Sequence, residues 1–394
     1  MSENISTVVQ APQLNASAKR IPELDGLRGF AILLVILCHY VQDGGPIGLR
    51  YSLIRRVGEV IGLGTFGVDL FFILSGFLIG GILLNSRSSP KYYSTFYLRR
   101  FFRIIPIYYS WLILFGLVML GAKKWGIAGG ADFTMLTPYW AYFIFIQNYF
   151  QGSTAIQAFW LGPLWSLAVE EQFYLLAPPL VRKLSPSRLV NVLIGVLVFS
   201  LLLRLFLCSF YGAGHDYWGV NASTNWMFCR ADDLALGMLV ATVWVNPQSR
   251  RRLEEGARLS YAGFYSCAIA LLAMSWWFMK PDSFITATIG RTIIGFFFVF
   301  LMVIPLTDKE GLLAKIFRWR PLRELGKVSY CVYIIHRAVN WVFFRVLLHV
   351  DPRFDSWRAI GVTSLSFVAT IILAELSWRY FENPLIHRGH TYSY

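Results

Sequence analysis

The chain has 394 residues, of which 56% are hydrophobic and 17% aromatic, against only 15% charged. With a mean hydropathy of +0.53, this excludes a soluble globular domain, which could not cover so much apolar surface, and predicts an all-α polytopic membrane protein. The net charge of +14 does not point to nucleic acid, because no basic stripe is interleaved with stacking aromatics outside the apolar segments; in a membrane protein such an excess anchors the cytoplasmic loops.

Residues 1–20 are polar and lack an apolar h-region, so they read as a disordered cytoplasmic tail rather than a cleavable signal. Ten apolar stretches follow, at 30–42, 60–84, 104–121, 165–181, 189–211, 227–246, 260–279, 286–306, 328–349 and 358–380. Several reach the length of about 20 residues that a helix needs to cross the hydrocarbon core. The first is short and extends backward through Leu24–Gly29. Residues 139–150 are apolar and aromatic but too few to span, and read as a re-entrant or interfacial segment. Residues 21–386 form one transmembrane domain with no internal repeat, and 387–394 a cytoplasmic C-terminal tail.

The basic residues test this arrangement. An inside N-terminus puts Arg99, Arg100 and Arg103, Arg250 to Arg252, and Lys315, Arg318, Arg320 and Arg323 in the cytoplasm. Only scattered residues such as Arg50, Arg55, Arg56 and Lys280 remain opposite. The bias predicts ten spans in an inner membrane, with both termini cytoplasmic. The five cysteines fall in apolar segments without a CxxC pair, so neither a disulfide nor a metal site is expected. There is no P-loop, dinucleotide fingerprint or HExxH.

Ionisable side chains within such segments are functional-site hypotheses. Arg28 and His39 are eleven residues apart, which on a helix returns them to one face with about 16 Å of rise between them. Asp25 shares that face. Asp69 lies early in the second stretch, Glu170 and Glu171 early in the fourth, and Arg230, Asp232 and Asp233 form a charged knot in the sixth. Adjacent glutamates point about 100° apart, so one of the pair faces inward. Ser75 and Gly76 suit close helix packing and would let a slender ligand pass. Ser75 has no GxSxG context, which argues against a serine nucleophile.

Five motifs in order carry a resemblance. They are Leu24-Asp25-Gly26-Leu27-Arg28 with His39, Gly67-Val68-Asp69 through Ile79, and Tyr97-Leu98-Arg99-Arg100-Phe101-Phe102-Arg103-Ile104-Ile105-Pro106. Leu164-Trp165-Ser166 through Tyr174 follows, and then Leu325-Gly326-Lys327-Val328-Ser329-Tyr330 through His336 with Phe381-Glu382-Asn383-Pro384. Together they resemble membrane-bound acyltransferase family 3, the O-acyltransferases of bacterial envelope glycans. The resemblance implies transfer of an acyl group, usually acetyl, from a coenzyme A thioester to a hydroxyl. It implies that the first-helix histidine, here His39, is essential. It maps the first-helix arginine to Arg28 and a cytoplasmic arginine pair to Arg100 and Arg103. The chain departs from the pattern after His336, where Arg337-Ala338-Val339 replaces an aromatic and a proline.

The residue chemistry agrees with that implication. An alcohol is a poor nucleophile at neutral pH, and a neutral imidazole within hydrogen-bond reach can take its proton during attack. His39 is therefore the expected general base, supported by Asp25 and by Glu170 as its partner or as an acceptor contact. Guanidinium forks bind phosphate well, so Arg28, Arg100 and Arg103, with Ser75 and Gly76, are expected to hold acyl-CoA, in its acetyl form. Asp69, Trp165, Glu171 and His336 are the expected acceptor contacts. Cys38 points away from His39 and is discounted.

The reading is a membrane O-acyltransferase acting on a glycan. One rival keeps the chemistry and changes the acceptor to a lipid or small molecule. Another is a transporter or flippase, although the repeated Gly/Pro-broken halves of such proteins are not evident.

Overall fold

The computed structural model describes residues 21–42, 63–124, 137–150, 155–211, 218–278 and 283–394. The tail expected over 1–20 lies outside them, as do Arg50, Arg55, Arg56 and Lys280. Among the described residues there is no strand. Among the described residues, long helices run through all ten apolar stretches: α1 (Pro22–Gln42), α2 (Gly67–Asn85), α3 (Tyr92–Lys124), α4 (Leu164–Lys183) and α5 (Pro186–Tyr211). They continue with α6 (Met227–Val245), α7 (Ala257–Phe278), α8 (Arg291–Thr307), α9 (Arg320–Leu347) and α10 (Trp357–Ser377).

Seven segments among the described residues, built on α1, α2, α3, α5, α7, α8 and α10, are long and apolar enough to cross a membrane. The expected count of ten rests on adding α4, α6 and α9. These carry Glu170 and Glu171, then Arg230 with Asp232 and Asp233, and Lys327 with Arg337. The charges of α6 point into protein, not lipid: Arg230 is fully buried, and Asp232 and Asp233 nearly so. The apolar residues left outside, such as Leu202 and Phe206 on α5 and Leu259 and Ile269 on α7, form the kind of surface that lipid tails cover.

Residues 139–150 do not form a spanning helix. Two short turns, Tyr139–Phe143 and Gln147–Tyr149, flank Phe145, which adopts a φ of 55°. That region is costly for a bulky side chain. Here the Phe145 carbonyl accepts from Gln172 Nε2 at 2.7 Å, and its ring stacks on Tyr108 at 4.5 Å. Polar side chains also serve the neighbouring backbone, with Tyr108 and Tyr109 donating to the carbonyls of Tyr142 and Phe143. Irregular backbone survives in such a place only where protein groups satisfy it.

Glycines set the closest helix crossings. A methyl group at Gly29 would lie 1.8 Å from the Leu322 carbonyl oxygen, and one at Gly326 would lie 1.9 Å from that of Asp25. Ten residues further along both helices, His39 meets His336, so α1 and α9 run parallel in backbone contact. On α2, Gly76 meets the Leu234 carbonyl of α6 in the same way, at 2.1 Å. Small residues allow this approach where no hydrophobic force drives helices together.

At the C-terminal end, α10 passes through a wide turn, Trp378–Glu382, into α11 (Asn383–His390). Ser377 Oγ donates to Glu382 Oε1 across that turn at 3.1 Å. The last residues fold onto α3: Arg99 Nε donates to the Tyr392 carbonyl at 2.8 Å and Thr95 Oγ1 to that of Ser393 at 2.9 Å.

Candidate active site

A cavity of about 740 Å³ opens between α1, α2, α3, α4 and α9 and is walled on one side by the C-terminal residues His390, Ser393 and Tyr394. Its basic lining residues are Arg28, Arg99, Arg100, Arg103 and Lys327, against the carboxylates of Asp25, Glu170 and Glu171. Cations outnumber carboxylates, so the space favours an anionic occupant. The arginines reach it because α3 begins at Tyr92, well ahead of the apolar stretch, and carries all three on regular helix. Arg28 lies in the field of Glu170 and Asp25, with Arg100 opposing. Arg100 sits 5.9 Å from the ring centres of both Phe96 and Tyr174, within cation–π range. Its Nε is buried with no hydrogen bond among the described residues, a donor that suits a ligand oxygen. Glu170 is held firmly: Ser75 Oγ donates to Oε1 at 2.8 Å and Tyr174 donates to Oε2 at 3.1 Å.

The far wall of the cavity includes Tyr333 and Ser166, whose hydroxyls are 2.6 Å apart. Behind Tyr333 stands His336, with ring centres 6.0 Å apart. His336 Nε2 lies 2.9 Å from His39 Nδ1, and the two rings are tilted by 34° at 5.0 Å. His336 Nδ1 is 2.8 Å from the Tyr333 carbonyl and 3.1 Å from that of Val332. One residue beyond His39, the Tyr40 hydroxyl donates to the His336 carbonyl at 3.0 Å, which fixes α1 against α9. The histidine pair thus sits one side chain beyond the cavity, at the opposite end from Arg28.

A sequence profile described as an acyltransferase domain matches residues 21–378. The chain belongs to this acyltransferase family. It is similar to the peptidoglycan O-acetyltransferase OatA of Listeria monocytogenes, 31% identical over 391 residues that cover 95% of this chain and 57% of that protein. It is similar also to the O-acetyltransferase OatA of Staphylococcus aureus, 26% identical over 390 residues, 95% of this chain and 58% of that one. The chain therefore spans a little over half the length of these relatives. No solved structure matches it.

Within this family member, the structure brings some expected residues together and separates others. Asp25, Arg28, Ser75, Arg100, Arg103, Glu170 and Glu171 line one cavity. Glu170, expected as a partner of His39 or as an acceptor contact, has its carboxylate engaged by Ser75 and Tyr174 among the arginines; the ring partner of His39 is His336. Gly76, expected at the donor, lies outside the cavity lining because the Leu234 backbone fills its face. Trp165 also lies outside the lining, edge-on to Phe72 at 6.2 Å.

Asp69, expected at the acceptor, is buried in an ion network instead. Its Oδ1 is 3.1 Å from Arg230 Nη1 and 3.7 Å from Arg291 Nη1. Arg230 also reaches Asp233 at 3.3 Å, and Arg204 pairs with Asp232 at 2.7 Å. Three arginines and three aspartates thus balance inside α2, α5, α6 and α8. Among the described residues no His, Cys, Asp or Glu cluster is arranged to hold a metal ion.

Sequence reasoning passed over Ser166, Tyr174 and Tyr333. The first two lie inside the motif at 164–174, but a hydroxyl in an apolar stretch carries no signal distinguishing a cavity wall from a membrane interface. The C-terminal wall had no sequence signal either.

Proposed function

We propose that the chain is a membrane O-acyltransferase that takes an acetyl group from acetyl-CoA and delivers it to a hydroxyl of a glycan. The observation that carries this reading is the arrangement of a cation-rich cavity whose far wall stands one side chain from a histidine pair. Coenzyme A is a phosphate-bearing donor with a long, slender arm. Arg28, Arg100 and Arg103 suit its phosphates, and the helical rise of about 16 Å from Arg28 to His39 is comparable to the reach of that arm.

In this reading His39 accepts the proton of the acceptor hydroxyl as its oxygen attacks the thioester carbonyl. The carbon–sulfur bond then breaks, and the thiolate leaves with a proton returned from the imidazolium. Direct transfer needs no acyl-enzyme, and no cysteine or serine is required as nucleophile. Glycan as the acceptor is supported by the peptidoglycan O-acetyltransferase among the relatives. The transporter alternative loses ground to the acyltransferase profile over residues 21–378. The distribution of basic residues supports a plasma-membrane protein with both termini and the arginine end of the cavity in the cytoplasm, so that the donor arrives from inside and the acceptor from outside.

The test is acetyl release. Protein reconstituted in liposomes with acetyl-CoA and an oligosaccharide acceptor should form O-acetyl glycan and free thiol, and His39→Ala at equal expression should form neither. Full product formation by His39→Ala would overturn the reading.

A further inference from the structure

The contacts of His336 are directional. Its Nδ1 faces two backbone carbonyls, of Tyr333 at 2.8 Å and Val332 at 3.1 Å. A carbonyl oxygen only accepts, so Nδ1 must carry the hydrogen. A second proton on this ring would place a cation in a fully buried site beside the Arg337 guanidinium, an arrangement with a large electrostatic cost. The neutral ring therefore has its lone pair on Nε2. That lone pair faces His39 Nδ1 at 2.9 Å, so His39 must donate from Nδ1, and its own lone pair is left on Nε2.

We infer that His336 is a positioning residue that fixes His39 in the Nδ1–H tautomer, so that Nε2 is the basic atom presented to the acceptor hydroxyl. The backbone carbonyls of α9 orient His336, His336 orients His39, and no carboxylate is needed in the relay. Tyr40 holds the helix carrying His39 in register by donating to the His336 carbonyl at 3.0 Å. Without the Nε2 acceptor, His39 is free to adopt the Nε2–H form, which offers no lone pair at the atom that must take the proton. The inference rests on the proposed acyl transfer for its consequence, but the tautomer itself is independent of any substrate.

Two measurements separate these. In full-length protein with ¹⁵N-labelled histidine, reconstituted in nanodiscs, the His39 signals are assigned by their loss in His39→Ala. They should show a protonated Nδ1 and an unprotonated Nε2, with no donor or acceptor present. A protonated Nε2 in the wild-type protein overturns the inference. In the transfer assay, His336→Leu should lower kcat by about 100-fold or more and move the His39 signals toward the Nε2–H form, with the donor KM within about twofold. His336→Gln, whose amide oxygen can accept from His39 Nδ1 while its NH₂ donates to the α9 carbonyls, should restore kcat to within about tenfold of wild type. Equal losses in the two variants with unchanged His39 signals also overturn it. Correct signals in an enzyme that stays active as His39→Ala would sink the proposed function and leave the tautomer standing.

Discussion

Ser75 Oγ donates to Glu170 Oε1 over 2.8 Å, tying α2 to α4 where the cavity holds its arginines. The second carboxylate oxygen accepts from Tyr174 at 3.1 Å, so Glu170 is fixed from two sides while it supplies counter-charge to Arg28. Removing the Ser75 hydroxyl takes away one of two bonds to a charged group, which costs about 1.5–3 kcal/mol. Ser75→Ala should therefore raise the KM for acetyl-CoA by about tenfold and leave kcat near wild type. Steady-state kinetics at saturating acceptor will check this; a fall in kcat alone would place Ser75 with the chemistry instead.

Arg103 and Arg100 give a sharper prediction, because the donor can be cut to match. If both guanidinia hold phosphate, Arg103→Ala should raise the KM for acetyl-CoA by about 10- to 100-fold, the worth of a charge-assisted bond. The same variant should treat phosphate-free acetyl-pantetheine like the wild type. Equal losses on both donors would mean that Arg103 supports the fold and not the phosphates.

These arguments draw on features of unequal legibility. The Asp25, Arg28 and His39 face could be read from spacing alone, because a helix preserves an eleven-residue interval wherever it packs. The arginines of α3 were legible as chemistry but not as helix. Hydropathy stops at the first charge, whereas the backbone continues to Tyr92 because the guanidinia turn into a cavity. Partners distant in sequence were not legible. His336 is 297 residues from His39, and the glycine contacts of α1 with α9, with the Tyr40 bond to the His336 carbonyl, bring them together. Asp69 reads the same in sequence whether it faces a substrate or an arginine. Its actual partner, Arg230, is 161 positions away.

The Asp69 network predicts a stability effect with no kinetic signature of donor binding. Arg230 is fully buried and contacts two aspartates, at 3.1 and 3.3 Å. Replacing it with Met leaves both carboxylates without that cation, and breaking a buried pair from one side costs about 3–5 kcal/mol. Arg230→Met should lower the melting temperature in detergent markedly, and the protein that remains folded should keep its KM for acetyl-CoA. Adding Asp69→Asn and Asp233→Asn should recover part of the lost stability. A melting temperature unchanged by Arg230→Met would show that the network contributes nothing to the fold.

The parallel crossing of α1 and α9 makes the histidine contact depend on residues ten positions away. A side chain at Gly29 meets the Leu322 carbonyl at 1.8 Å, and one at Gly326 meets that of Asp25 at 1.9 Å. Neither obstacle is a flexible side chain, so the helices must separate to admit it. Overpacking of this kind costs about 1–3 kcal/mol. Displacing a reacting group by 1 Å can cost about 100-fold in rate. Gly29→Val should thus cut turnover by about two orders of magnitude while most of the protein remains folded, and the NMR signals of His39 should lose their dependence on His336. Gly361 on α10 is a control, since a methyl there meets nothing within 4 Å; Gly361→Val should change neither turnover nor the His39 signals. Full activity in Gly29→Val would mean that the close crossing of α1 and α9 does not govern the spacing of the two rings.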